Sequence, residues 1–174
     1  MNVTLSPVQR GEKEILRNLL EKYDYEFSQW DLRDVNDLGL YGYDWLDCYW
    51  TEKNRWAYFI RVDGKLAGFV MVNDYPEVPG RPIDFALAEF FVMYKYRRAG
   101  VGTAAAQMAF DLHRGAWELK YHPHNKPSSA FWNRVVGDYT GGAYELIRNY
   151  PDHSVDYDDG TPADVIFFTN KESK

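Results

Sequence analysis

Apolar and polar positions along this chain switch between a period near 3.6 and a period of two, and the switches mark the elements. "NVTLSP" is a short strand-like run. "GEKEILRNLLEKYDYEF" places Ile15, Leu16, Leu19, Leu20, Tyr23 and Phe27 at helical spacing with acids early, which predicts a helix over 11–27. Residues 28–50 interleave aromatics with Asp31, Asp34, Asp37, Asp44 and Asp47, the pattern of a loop and a short helix. "RWAYFIRVDGKLAGFVMVN" predicts a hairpin, because Asp63-Gly64 accepts the positive φ angles of a two-residue turn. After the breaker-rich "PEVPGRP", "IDFALAEFFVMY" predicts a long buried strand. The next helix carries Val101, Ala105, Met108, Ala109 and Leu112 on one face, with Gly115 as its stop. "AWELKYH" is a strand. "NKPSSAFWNRVV" is a helix with Asn125 or Lys126 just outside and Pro127 in its first turn. "YTGGAYELI" and "ADVIFFTN" close the chain as strands, joined by the acidic turn "NYPDHSVDYDDGTP".

This order, β, α, (α), β, β, β, α, β, α, β, β, predicts an α+β fold: a mixed sheet of about six or seven strands with helices on both faces. At 174 residues and 45% hydrophobic content, with no repeat or linker, one domain spanning 1–174 with a full core is expected. The 17% aromatic content points to thick aromatic packing or a ring-lined pocket. A net charge of −6 argues against a nucleic-acid partner. No apolar stretch approaches the roughly 18–20 residues of a membrane span, and no signal peptide is visible. The single cysteine, Cys48, forms no internal disulfide. A cytoplasmic protein with no membrane partner is expected, with a homodimer as an allowed assembly.

The chemistry starts at "VMYKYRRAGVGTAAAQMAFDL", Val92 to Leu112. The first amides of a helix have no partner inside it and carry the positive end of its dipole. Gly100 and Gly102 clear side chains from them, and Arg97 and Arg98 add charge, so the stretch suits a phosphate. The alternative is a glycine-containing strand-to-helix turn with solvated arginines. A Walker loop is excluded by the missing Gly-Lys-Ser/Thr. Gly100, Gly102 and Ala105 match a dinucleotide fingerprint, but "KYRR" separates them from the strand and no second βαβ half follows.

These residues resemble motif A of the GNAT acyltransferases, Arg/Gln-x-x-Gly-x-Gly/Ala, at Arg97, Gly100 and Gly102. "NKPSSAFWNRVVG" resembles motif B at Asn125, Ser128, Trp132 and Gly137, and the element order fits from Val3 to Thr169. The resemblance implies a sheet splayed between the motif A strand and the next, Phe91 to Tyr94 away from Leu119 to His122. It implies an N-acetyltransferase that uses acetyl-CoA as co-substrate, acts by direct attack in a ternary complex, and takes a small-molecule or peptide amine. The pyrophosphate would lie on the amides of Arg98, Ala99, Gly100, Val101, Gly102 and Thr103. The pantetheine would lie along Phe91, Val92 and Met93, with Asn125, Ser128, Phe131 and Trp132 touching it. A coenzyme- or ligand-binding module without turnover is the other function carried by this fold.

Glu89, inside the apolar "FALAEFFV", is the candidate general base, since desolvation raises a carboxyl toward useful basicity. Its alternative is a Glu facing solvent or an arginine. The family's usual general acid, a motif B Tyr, is replaced by Trp132, whose indole cannot fill that role. Tyr139, Tyr121, His124 or water remain as proton sources, and the amide near Val92 would meet the oxyanion. His122-x-His124 lacks an evident third metal ligand, so no metal is expected. The acidic turn lacks the spaced glutamate of a calcium loop. Cys48 is expected to pack rather than react. The aromatic and acidic stretch Trp30–Trp50 occupies the acceptor side, where Asp and aromatic residues would favour a cationic amine. The alternative there is a solvated face over an aromatic core.

Overall fold

A computed structural model describes residues 1–171. The strands are β1 (Val3–Pro7), β2 (Arg55–Val62), β3 (Lys65–Asn73), β4 (Phe85–Val92), β5 (Ala116–Tyr121), β6 (Tyr144–Ile147) and β7 (Asp164–Thr169). They form one sheet in the order β1-β2-β3-β4-β5-β7-β6, parallel only where β4 meets β5. The β2–β3 hairpin turns through Asp63 at φ 48° and Gly64 at φ 79°, as its sequence requires.

The helices are α1 (Lys13–Asp31), α2 (Cys48–Thr51), α3 (Val101–Leu112) and α4 (Lys126–Thr140). Helix α1 outruns its expected end by four residues and stops where Leu32 turns left-handed and returns its N–H to Ser28 O at 3.0 Å. On α3 the buried face is Val101, Ala105, Ala106, Ala109 and Phe110, while Leu112 is exposed. That helix ends at His113 in an extended conformation, so Gly115 is not its stop. Gly115 is needed for close approach: an added Cβ would lie 2.6 Å from Asp84 Cβ. Tyr139 and Thr140, expected in a strand, complete α4, which Gly141 caps at φ 62°.

Helices cover both faces. Trp132, Val135 and Val136 of α4 pack with Phe110, Trp117 and Ile166 on one side of the sheet. Leu16 and Leu20 of α1 pack with Phe59, Phe69, Met71 and Phe91 on the other. A third, smaller cluster of Val78, Val155, Val165 and Phe167 sits beneath the loop after β6.

The sheet opens in its middle. β4 and β5 pair only through Phe85↔Trp117 and Ala86↔Glu118. Just beyond, the β3–β4 register jumps from Val72↔Leu87 to Met71↔Glu89, leaving Ala88 as an extra residue. This bulge bends β4 and changes which residues face which layer. Phe85 and Leu87 join the α3–α4 layer with Phe90 and Val92, while Ala88, Phe91 and Met93 pack on the α1 layer. Met93 N–H donates to Ala67 O at 2.8 Å, toward β3. Because successive peptide groups alternate, the Val92 N–H points the other way, into the gap. Among the described residues, no helix is long and apolar enough to cross a membrane.

Candidate active site

The gap leads to the glycine loop. After Val92 the chain makes a 3-10 turn over Tyr94–Tyr96 and enters α3 at Val101. Arg98 at φ 62° and Gly100 at φ 80° are both left-handed, an alternation that turns successive amides inward. Arg97 N–H donates to Tyr94 O and Ala104 N–H to Gly100 O. Among the described hydrogen bonds, none uses the six amides between them, Arg98 through Thr103. Nothing lies within 4 Å of where a Gly100 Cβ would stand, so the approach to these amides is open. Six unbonded donors at a helix amino terminus fit a diphosphate. Val101 is fully buried, whereas Arg98 is exposed. At Gly102 an added Cβ would meet Phe131 Cε2 at 3.1 Å, so this glycine lets the Phe131 ring close on α3.

The Arg97 side chain turns away from the loop mouth. Its two Nη atoms each donate to a Glu26 carboxylate oxygen at 2.7 Å, and its Nε donates to Val92 O at 2.6 Å. The Glu26 carboxylate raises the pKa of the guanidinium, which stacks 4.1 Å from the Tyr94 ring. Arg97 therefore braces the end of β4 against α1, and its charge is spent inside the protein.

At the second motif, Asn125 caps α4 by accepting from Ser128 N–H at 3.1 Å. Phe131 stacks on Phe90 at 5.7 Å, and Trp132 meets the same ring edge-on at 4.9 Å. Trp132 is a buried packing residue. Of the other proton sources expected, Tyr139 donates to Asp111 at 2.8 Å beside Phe110. Tyr121 is buried and receives Asn133 Nδ2 at 2.7 Å. Both pack on the α3–α4 layer.

Glu89 is half-buried on the opposite layer, and no lysine or arginine pairs with it among the described ion pairs. Burial pushes its carboxyl up to about 7, helped by the charges of Asp24 and Glu77. The hydroxyls of Tyr23 and Tyr43 partly offset this, although neither closes a short hydrogen bond. Burial first, then the Glu89 charge, also raises Tyr23 and Tyr43, and pushes Tyr49 to about 12. The Tyr49 hydroxyl is buried without a hydrogen-bond partner, with Tyr43 and Asn73 nearby.

Aromatic rings extend this wall. Tyr23 lies 5.9 Å from Phe27, Phe27 5.7 Å from Tyr157, and Tyr157 4.7 Å from His122. The loop carrying Tyr43 is pinned to α1 by Glu21, which accepts from the amides of Tyr41 and Gly42. Tyr23 already stood out on the amphipathic face of α1, but nothing local marked Tyr157 as a neighbour of Glu89.

The fold adds Asp159 to His122 and His124, with potential ligand atoms within 4.8 Å of one another. However, His122 Nδ1 accepts the His124 N–H and its Nε2 faces Asp159 Oδ2, both at 3.2 Å. A metal-bound His normally turns its second nitrogen toward an acceptor, whereas here it meets a donor. Asp159 also takes the hydroxyl and amide of Thr161, so the trio reads as a pin for the loop after β6. Cys48 is half-buried beside Glu52, which raises its pKa and disfavours the nucleophilic thiolate.

The splayed sheet, with a loop of unbonded amides at the start of α3, is an arrangement shared with known proteins. The family model described as the acetyltransferase (GNAT) family matches residues 15–137, and the chain belongs to that family. Members of this family transfer acetyl groups from acetyl-CoA. No curated protein matches the sequence. Among solved structures, an acetyltransferase of Thermus thermophilus is 14% identical, with a TM-score of 0.63 over 97% of both chains. The ribosomal-protein-S18-alanine N-acetyltransferase of Escherichia coli is 13% identical, with a TM-score of 0.59 over 99% of this chain and 97% of its own. NAA60 of Arabidopsis thaliana, solved with a bisubstrate analogue, is 15% identical, with a TM-score of 0.60 over 97% of this chain and 98% of its own. These likenesses establish the fold.

Proposed function

We propose that the chain is a cytoplasmic N-acetyltransferase that binds acetyl-CoA and an amine together, with Glu89 as general base. The observation that carries this is the run of six unbonded amides, Arg98 to Thr103, opening beside a strand that also bears a desolvated carboxylate. Those amides would hold the diphosphate, with the exposed Arg98 adding charge. The backbone of Phe91 to Met93 would orient the pantetheine, and the Val92 N–H, aimed into the gap, would meet the thioester oxygen. Asn125, Ser128, Phe131 and Trp132 would form the α4 wall. Acetyl-CoA supplies an acetyl carbon activated as a thioester, so attack by a neutral amine forms C–N, breaks C–S and releases a thiolate that takes up a proton. A protonated amine cannot attack, and a carboxylate titrating near 7 is suited to remove its proton, directly or through water.

Calorimetry with acetyl-CoA tests the donor half. Wild type should bind. Gly100→Ala, which adds only left-handed strain, should bind somewhat more weakly, and Gly100→Glu should not bind. Absence of binding to wild type refutes the proposal. One observation, Trp132 in place of a phenol, favours the second function, a ligand-binding module. Thiol release over an amine panel separates the two, since a module releases none.

A further inference from the structure

We infer that the acceptor is a cationic amine that carries no carboxylate. This rests on the proposed role of Glu89 as general base, which places the acceptor amine beside it. The charges around Glu89 do not balance. Arg33 serves both Asp24 and Asp31, through bonds of 2.9 and 2.5 Å, and Lys120 serves Glu77. Four carboxylates, counting Glu89, thus stand against two cations. Arg97 is matched by Glu26 and His122 faces Asp159, while the unpaired Arg98 belongs to the phosphate loop.

Two orphan oxygens point the same way. Asp24 Oδ2, which can only accept, and Tyr49 Oη, which can accept or donate, are buried without partners, in residues only 4% and 6% exposed. Asp24 is close enough to Glu89 to raise its pKa, and Glu89 does the same to Tyr49. An ammonium group brings three N–H donors to Asp24 and Glu89, carboxylates with unfilled acceptor positions. The rings of Tyr23, Phe27, Tyr43 and Tyr157 lie on the same side of the sheet as Glu89, and aromatic faces favour a cation. Among the described residues, a carboxylate on the acceptor would find no free cation beside Glu89. It would face the negative excess, and any lost hydration would go uncompensated.

Matched pairs that differ by one carboxylate test this: phenethylamine against phenylalanine, and cadaverine against lysine. Each is titrated into the protein saturated with CoA, and thiol release from acetyl-CoA is measured in parallel. In each pair that binds, the decarboxylated member should be tighter by about tenfold or more. Glu89→Gln should shrink that ratio severalfold while leaving CoA affinity unchanged. Equal or tighter binding of the amino acids, or no binding of any of the four, overturns the inference. Selective amine binding without thiol release would instead refute the enzymatic function and leave the selectivity standing.

Discussion

Replacing Glu89 with Gln keeps the side-chain shape and removes its charge, which separates the structural cost of this residue from its use. Burial moves the carboxyl from the ordinary 4.5 to about 7, so the folded chain holds this proton more tightly than the unfolded chain does. Below pH 4.5 both states carry the proton and the buried group costs nothing. That stability is lost as pH rises through about 7, above which the fold confines a carboxylate that water would solvate better. At about 1.36 kcal/mol per pH unit, a rise from 4.5 to about 7 bounds the cost at roughly 3 kcal/mol. Solvent reaching this half-buried side chain lowers the expected value to roughly 1–2 kcal/mol. Glu89→Gln should therefore be more stable than wild type by that amount at pH 8 and nearly equal to it at pH 4.5. Urea unfolding at the two pH values, with unchanged m, measures the difference. The same variant should lose about 10²–10⁴ in rate, and the wild-type rise of kcat/KM through pH 7 should flatten. A stability difference independent of pH would show that the carboxyl is not desolvated, and an unchanged rate would remove Glu89 from the mechanism.

Two further outcomes test the scaffold. Gly68→Ala would place a Cβ 1.9 Å from the Phe91 carbonyl oxygen, and backbone cannot yield there without parting β3 from β4. A loss of at least about 2 kcal/mol by thermal melting is expected, and an unchanged Tm would contradict the register. Asn125→Ala removes the cap on the Ser128 amide and should cost about 1 kcal/mol, lowering Tm by about 2–4 °C. If Tm stays put, the cap carries no weight.

What was legible in the sequence was local. Asp63-Gly64 dictates its own turn, and the glycine spacing after Arg97 dictates an open helix start, because both depend on nearby backbone geometry. Glu89 stood out because a charge in an apolar strand needs an explanation. What escaped depends on distant partners. Gly115 reads as a helix stop until Asp84 is seen packed against it. Arg97 reads as a phosphate ligand until Glu26, 71 residues away, takes its guanidinium. The wall formed by Tyr157 and the pinning Asp159 comes from a loop whose local composition says only that it is polar. The bulge at Ala88 was hidden as well, since "FALAEFFV" is apolar enough to satisfy either face. Only pairing with β3 decides where the alternation slips.

The short seam between β4 and β5 has a mechanical meaning. A sheet continuous in strand order is, in its hydrogen bonding, two leaves: four strands joined to three by two residue pairs. Each leaf has its own antiparallel ladder, and one core beneath α3 and α4 joins the two, so the seam itself carries little of the cohesion. Arg97 and Glu26 stiffen only the leaf that carries β4. A molecule seated in the gap would splint the two strands beyond the point where their own ladder stops. The width of the opening is therefore set jointly by protein and guest.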